Sequence, residues 1–267
     1  MLTPDQIAEA AARLVQAERT RTQIGLFSQR YPAMTLDDAY AVQAGFVAAK
    51  LAAGGHQVGW KIGLTSRAMQ QALNIDIPDS GVLLDDMQFE DGATIPATRF
   101  IQPRIEAELA FVMQTPLQGP GIKPWQVMAA TAHIVPSLEI LDTRILRLDP
   151  KTMATRTIVD TIADNAANAG IVTGGRAMPP GAVDLRWCGA IVSRNGMVEE
   201  TGLGAGVLND PARGVAWLAN RLATQGQRIE AGQIVLSGSF IRPIEARHGD
   251  TIHADFGPLG SVAVFFE

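Results

Sequence analysis

With one cysteine, Cys188, in 267 residues, the chain has no disulfide framework and no cysteine-based zinc or iron–sulfur site. Blocks of Lys or Arg are also missing. At a formal charge of −5 there is no basic footprint for nucleic acid or an anionic membrane. No stretch reaches the roughly 18 consecutive apolar residues of a membrane span. Asp5, Glu9 and Glu18 stand where a secretory signal needs an apolar run, so the expectation is a soluble, cytoplasmic protein. His56, His133, His248 and His253 show no ligand spacing. Neither G-x-S-x-G nor a phosphate-binding P-loop occurs. Gly202-Leu203-Gly204 starts like a dinucleotide loop, but Val207 stands where the last glycine belongs, and a hairpin precedes it.

What is present is a globular composition, 47% apolar and 18% charged, long enough for one large domain or two small ones. Thr3-Pro4-Asp5-Gln6 has capping-box form and opens a first helix. A second starts near Thr35, with Asp37 and Asp38 in its first turn, and ends at Gly54-Gly55. A short strand over 58–62, a helix over 66–73 and a loop over 74–81 follow. Beyond residue 100 strands dominate. Residues 101–113 alternate, 123–133 read as a helix and 134–142 as extended, and 143–157 lack any period and read as a long loop. Asn195-Gly196 marks a hairpin turn. Asp210-Pro211 opens a helix closing at Gly226, and strands are expected over 233–240, 244–246, 251–256 and 261–266. Without regular βαβα alternation, a doubly wound sheet or a TIM-type barrel is not expected.

The strongest chemical signal is Glu106-Ala107-Glu108 inside a strand. Side chains alternate, so both carboxylates share one face while Ile105, Ala107, Leu109 and Phe111 take the other. Glu139 sits in a similar apolar run. A solvated face, pairing with Arg or Lys, and binding of a cation are the three outcomes open to such carboxylates. Lys61 lies between Gly59 and Gly63 in a short apolar strand. It is either a lysine snorkelling off an edge or a cation poised to neutralise a carboxylate. Asp79, beside Pro78 and Ser80, is a turn former or a loop acid. Ser237-Gly238-Ser239 offers hydroxyls and amides to an anion, or is simply a tight bend.

Four longer segments resemble the 2-hydroxypentadienoate hydratase group of the fumarylacetoacetate hydrolase superfamily. They run over 60–66 (Trp-Lys-Ile-Gly-Leu-Thr-Ser), 81–87, 103–108 (Pro-Arg-Ile-Glu-Ala-Glu) and 160–170 (Asp-Thr-Ile-Ala-Asp-Asn-Ala-Ala-Asn-Ala-Gly). The resemblance spans nearly the whole chain. Segments 194–196, 199–202, 205–209 and 214–220 are similar to the branch serving homoprotocatechuate (4-hydroxyphenylacetate) degradation.

The resemblance implies an α+β fold: a mixed β-roll over 101–267 that binds the metal, with a smaller helical portion over 1–100. It implies Mg²⁺ or Mn²⁺ held by Glu106, Glu108 and Glu139, with Lys61 and Asp79 as catalytic groups. Lys61, Leu64, Asp164 and Ser237 would meet the substrate. The implied reaction adds water to a 2-hydroxy-2,4-dienoate or its 2-oxo-enoate tautomer, here a dicarboxylate. The assembly would be a homo-oligomer, as large as a decamer. For the distal carboxylate, Arg67, Arg144 and Arg147 are candidates by chemistry alone. A 4-oxalocrotonate decarboxylase or a monocarboxylate hydratase are the rival enzymes. A non-catalytic partner subunit is the rival of another class, against which the five intact positions argue.

Overall fold

The structure is a computed structural model describing residues 1–267 except 73, 74 and 76. Three helices come first: α1 (Pro4–Thr20), α2 (Phe27–Arg30) and α3 (Leu36–Ala52). The Thr3 hydroxyl accepts from the Gln6 amide, and Gln6 Oε1 accepts from the Thr3 amide. Thr35 and Asp38 repeat this box, and Asp38 also accepts from Leu2 N at 2.8 Å, which ties the starts of α1 and α3 together.

There follow β1 (Gln57–Gly63), α4 (Arg67–Ala72), β2 (Asp79–Leu84), β3 (Gln88–Glu90) and β4 (Ala93–Ile95). The middle of the chain holds β5 (Arg104–Met113), α5 (Pro124–Ala130), β6 (Thr131–Leu141), α6 (Ile158–Ala163) and β7 (Asn168–Thr173). The hairpin β8 (Gly189–Arg194) and β9 (Met197–Leu203) turns at Asn195-Gly196, both at positive φ as a type I′ turn requires. Last come α7 (Pro211–Ala223), β10 (Ile234–Leu236), β11 (Ile244–Glu245), β12 (Thr251–Asp255) and β13 (Ser261–Phe266). No helix among the described residues is long and apolar enough to cross a membrane.

Two mixed sheets result. The larger runs β2-β1-β10-β5-β6-β7-β3 with β11 also on β5, and the smaller runs β4-β13-β12-β8-β9. The larger sheet curls until β2 and β7 approach. Asn165 staples the seam: its Oδ1 accepts from Val82 N at 2.8 Å and its Nδ2 donates to Val82 O at 2.9 Å. Asn168 adds a bond to the same carbonyl.

The curl gives the sheet an outside and an inside. Outward residues of β5 (Ile105, Ala107, Leu109 and Phe111) are completely buried in one core with α1, α3 and α7. Inward, Leu83, Ala110, Ile171 and Leu236 form a small apolar plug. This is the expected mixed roll with helices.

Three expectations shift. A division at residue 100 does not follow the layers, because β1–β4 enter both sheets; the first hundred residues supply a helical layer and four strands. Leu73, at the expected end of a helix, and Asn74 and Asp76 of the expected loop lie outside the described residues. That loop gives way to β2 at Asp79. The strand expected over 233–240 stops at Leu236, because Gly238 takes a φ of +117° and turns the chain inward.

Candidate active site

Strand alternation builds the site. On β5 the inward face carries Arg104, Glu106, Glu108 and Ala110. The antiparallel register of β6 sets Glu139 directly opposite Glu106 and Ser137 opposite Glu108. Like charges so placed repel. On the other side, β1 turns Lys61 inward, and Gly63 pairs with Asp79 of β2. A side chain at position 63 has no room: its Cβ would stand 2.2 Å from Asp79 Oδ1 and 3.1 Å from Lys61 Nζ. The glycine flanking the lysine is there for close approach.

One oxygen each from Glu106, Glu108 and Glu139 falls within 4.8 Å of the others. Glu108 and Glu139 are completely buried, and Glu106 is half-buried at the floor of a cavity of about 640 Å³. Lys61, 3% exposed, holds its Nζ 3.4 Å from Glu139 Oε1. Glu108 Oε2 accepts from the Gly238 amide at 2.8 Å. Among the described residues, apart from the Lys61 ammonium beside Glu139, no hydrogen-bond donor reaches Glu108 Oε1, the Glu139 oxygens or Asp79 Oδ1, all of them buried.

Four carboxyls therefore face one lysine, all enclosed except Glu106, which is half-buried at the cavity. Burial, then Glu139, pushes the Glu106 carboxyl up to about 8. Burial with Glu139 and Glu106 lifts Glu108 well above the carboxylate range. Glu139 and Asp79 are raised by burial too, with Lys61 opposing. Burial disfavours the Lys61 charge, but Glu139, Asp79 and the other carboxylates outweigh it and hold the ammonium above its usual range. Clustered oxygen-only donors with surplus negative charge and few hydrogen-bond partners fit a hard divalent cation such as Mg²⁺ or Mn²⁺. A solvated sheet face is excluded, since two of the three carboxylates have no exposure at all.

Similarity to known proteins agrees with this geometry. The chain is 54% identical over 256 residues to a 2-oxo-hept-4-ene-1,7-dioate hydratase from Escherichia coli, covering 96% of each. It is 38% identical to a 2-keto-4-pentenoate hydratase from Paraburkholderia xenovorans, over all of this chain and 97% of the relative. The chain belongs to the 2-hydroxypentadienoate hydratase group of the fumarylacetoacetate hydrolase superfamily. A solved 4-oxalocrotonate decarboxylase from Pseudomonas putida G7, complexed with magnesium and adipate, superposes with a TM-score of 0.95 at 36% identity, covering 100% of this chain and 99% of that one. No family model matches.

Against the expectations for this hydratase group, Lys61, Asp79, Glu106, Glu108 and Glu139 come together, and Leu64 lines the cavity wall. Two residues expected at the substrate do not line it. Asp164 is completely buried and binds Arg144, accepting from its Nε and backbone N and from Ile145 N. It anchors the start of segment 143–157. Ser237 is buried behind Gly238 with an unpartnered hydroxyl. The same ion pair occupies Arg144, one of the three candidate cations. Arg67 is exposed, whereas Arg147 lines the cavity. Arg104 and Arg156, which sequence reasoning passed over, line it too. The signal for Arg104 was available, since it shares the inward face of Glu106; nothing local pointed to Arg156.

Proposed function

We propose that the chain is a divalent-metal-dependent hydratase that converts 2-oxo-hept-4-ene-1,7-dioate, through its dienol, to 4-hydroxy-2-oxoheptanedioate. The observation that carries this reading is the cluster of three glutamates, two of them fully buried with oxygens that lack hydrogen-bond donors, beside Lys61 at a substrate-sized cavity. The relative of that name, at 54% identity over nearly the full length, supports the substrate. Glu106, Glu108 and Glu139 would hold the cation; when bound it supplies Lewis acidity toward the substrate's 1-carboxylate and 2-oxygen.

The chain's own groups do the rest. Lys61 keeps its proton and sets a positive charge where negative charge develops on the 2-oxygen. Asp79 is the proton-transfer group, since burial lifts its carboxyl toward the range in which it both gives and takes a proton. From the dienol, C5 gains a proton, the 2-hydroxyl gives its proton up and becomes the 2-oxo group, and the double bond moves to C3–C4. The hydroxyl of water then joins C4 and a proton joins C3. No redox step occurs, in line with the broken dinucleotide motif.

The reading carries with it a cytoplasmic enzyme of the 4-hydroxyphenylacetate branch of aromatic catabolism. It also carries a homo-oligomer, supported by Trp187 at 74% exposure, Ile191 at 50% and Val198 at 60% on or beside the β8–β9 hairpin. A decarboxylase is the second reading, favoured by the 0.95 TM-score of its solved relative. Turnover of 2-hydroxyhepta-2,4-dienedioate, followed by dienol absorbance and product mass, separates the two. Gain of one water with Mg²⁺, lost with chelator and in Glu106→Gln, is expected. Release of CO₂ would make the chain a decarboxylase. No metal-dependent reaction would leave the glutamates structural and end the mechanism.

A further inference from the structure

Segment 143–157 lacks hydrophobic periodicity, yet it folds back on itself. Arg156 N donates to Arg147 O and Asp149 N to Ala154 O, each at 2.9 Å, while Leu148 and Thr155 form a bridge. The fold-back sets the backbones of Arg147 and Arg156 side by side on the cavity wall. Arg104 joins them from the end of β5, on the inward face and one residue pair from Glu106, about 6.6–7 Å along the strand.

Three guanidiniums thus line one cavity. Among the described residues none of these half-buried arginines has a carboxylate within ion-pair distance, whereas the fully buried Arg144 is paired with Asp164. Arg147 spends donors on Gln102. Arg104 Nε and Arg156 Nη1 are buried with no acceptor. A buried charged donor without an acceptor is costly, and a carboxylate is the group whose two oxygens match a guanidinium fork. The cavity is therefore bipolar, with carboxylates for a cation at its floor and arginines for an anion on its wall.

We propose that Arg104, Arg147 and Arg156 form the subsite for the distal carboxylate, so that the site selects short dicarboxylates over monocarboxylates. The identity of the substrate rests on the hydratase reading; the anion subsite does not. A ligand with one carboxylate leaves the arginines unanswered. A ligand with two spans floor to wall and is held in one direction.

Calorimetric titration of the magnesium-loaded protein with adipate and with hexanoate, equal in length but differing by one carboxylate, tests this without turnover. Wild type is expected to prefer adipate by 30-fold or more. Arg156→Met and Arg147→Met should each cut that preference roughly 10- to 100-fold, the loss of one charge-assisted contact. Arg156→Lys keeps the charge without the fork and should lose less, which also serves if the Met variants fail to fold. The ratio of kcat/KM for 2-hydroxyhepta-2,4-dienedioate over 2-hydroxypenta-2,4-dienoate should fall in the same order. A wild-type preference near one overturns the proposal, as does a preference unchanged in folded variants. If neither dienol is turned over but Arg156→Met abolishes the adipate preference, the hydratase reading falls and the subsite stands. Hydration of both dienols with no adipate preference is the reverse.

Discussion

Removing the divalent cation will make this protein lose stability as pH rises, opposite to the usual behaviour of paired carboxylates. A carboxyl whose folded pKa lies above its unfolded one keeps its proton where the unfolded chain has released it. Its contribution is complete below the unfolded value of 4.5 and is lost as pH rises through the folded value, about 8 for Glu106. At pH 7.5 the gap is about 3 pH units at roughly 1.4 kcal/mol each, so Glu106 costs the metal-free fold about 4 kcal/mol. Glu108 and Glu139 are raised in the same sense, and the cluster titrates as a unit. Lys61, raised further above its already high value, stays protonated throughout and adds no slope.

The assay is a series of thermal melts between pH 5 and 8, in chelator and in excess Mg²⁺. At roughly 2–4 °C per kcal/mol for a chain of this size, the metal-free melting temperature should fall by about 10 °C across the window. The magnesium-loaded protein should not follow it, because the cation replaces the protons, so the stabilisation by Mg²⁺ widens with pH. Glu106→Gln, neutral at every pH, should flatten the metal-free curve and shrink the magnesium effect. A metal-free protein that holds its melting temperature or gains stability from pH 5 to 8 would show that these carboxylates are solvated or paired, and the metal-site argument would fail with them.

Three further outcomes follow from the geometry. Asp164→Ala leaves the buried Arg144 with Glu18 as its remaining carboxylate partner and should cost about 3 kcal/mol in chemical denaturation. Gly63→Ala drives a methyl into Asp79 and should lower kcat/KM at least 100-fold, while magnesium affinity, read by calorimetry, changes little because no glutamate is touched. Asn165→Ala removes the acceptor of Val82 N and leaves Val82 O to Asn168 alone, and should cost about 1–3 kcal/mol, with faster hydrogen exchange at β2 as the local readout.

Local rules made much of this legible. Capping boxes at Thr3 and Thr35 start their helices, Asn195-Gly196 turns its hairpin, and Asp210 caps α7 from the position before its proline. Alternation over 105–111 separated core from carboxylates correctly. What escaped was set by long-range closure. Asp79 reads as a turn former until β2 pairs with β1 and carries it inside. Asp164 looks like any acid at a helix end until Arg144, twenty residues earlier, folds onto it. Arg156 lies in a stretch without a period, and only its backbone bond to Arg147 brings it to the wall.

One strand shows why sequence can outline such a site without completing it. Read inward along β5, every second residue marks a zone of the roll: Arg104 at the anion wall, Glu106 and Glu108 at the cation floor, Ala110 in the apolar plug. Strand geometry alone orders these zones at about 6.6–7 Å per step. Each neighbour then supplies what β5 lacks: Glu139 the third carboxylate, Lys61 the counter-charge, Leu83 and Leu236 the plug. The plug matters to the chemistry because it sets buried apolar side chains next to Glu108, one step further along the same strand face. The carboxylates' raised proton affinity, and the pull on a divalent cation that goes with it, is therefore a consequence of how the roll is packed as much as of which acids line it.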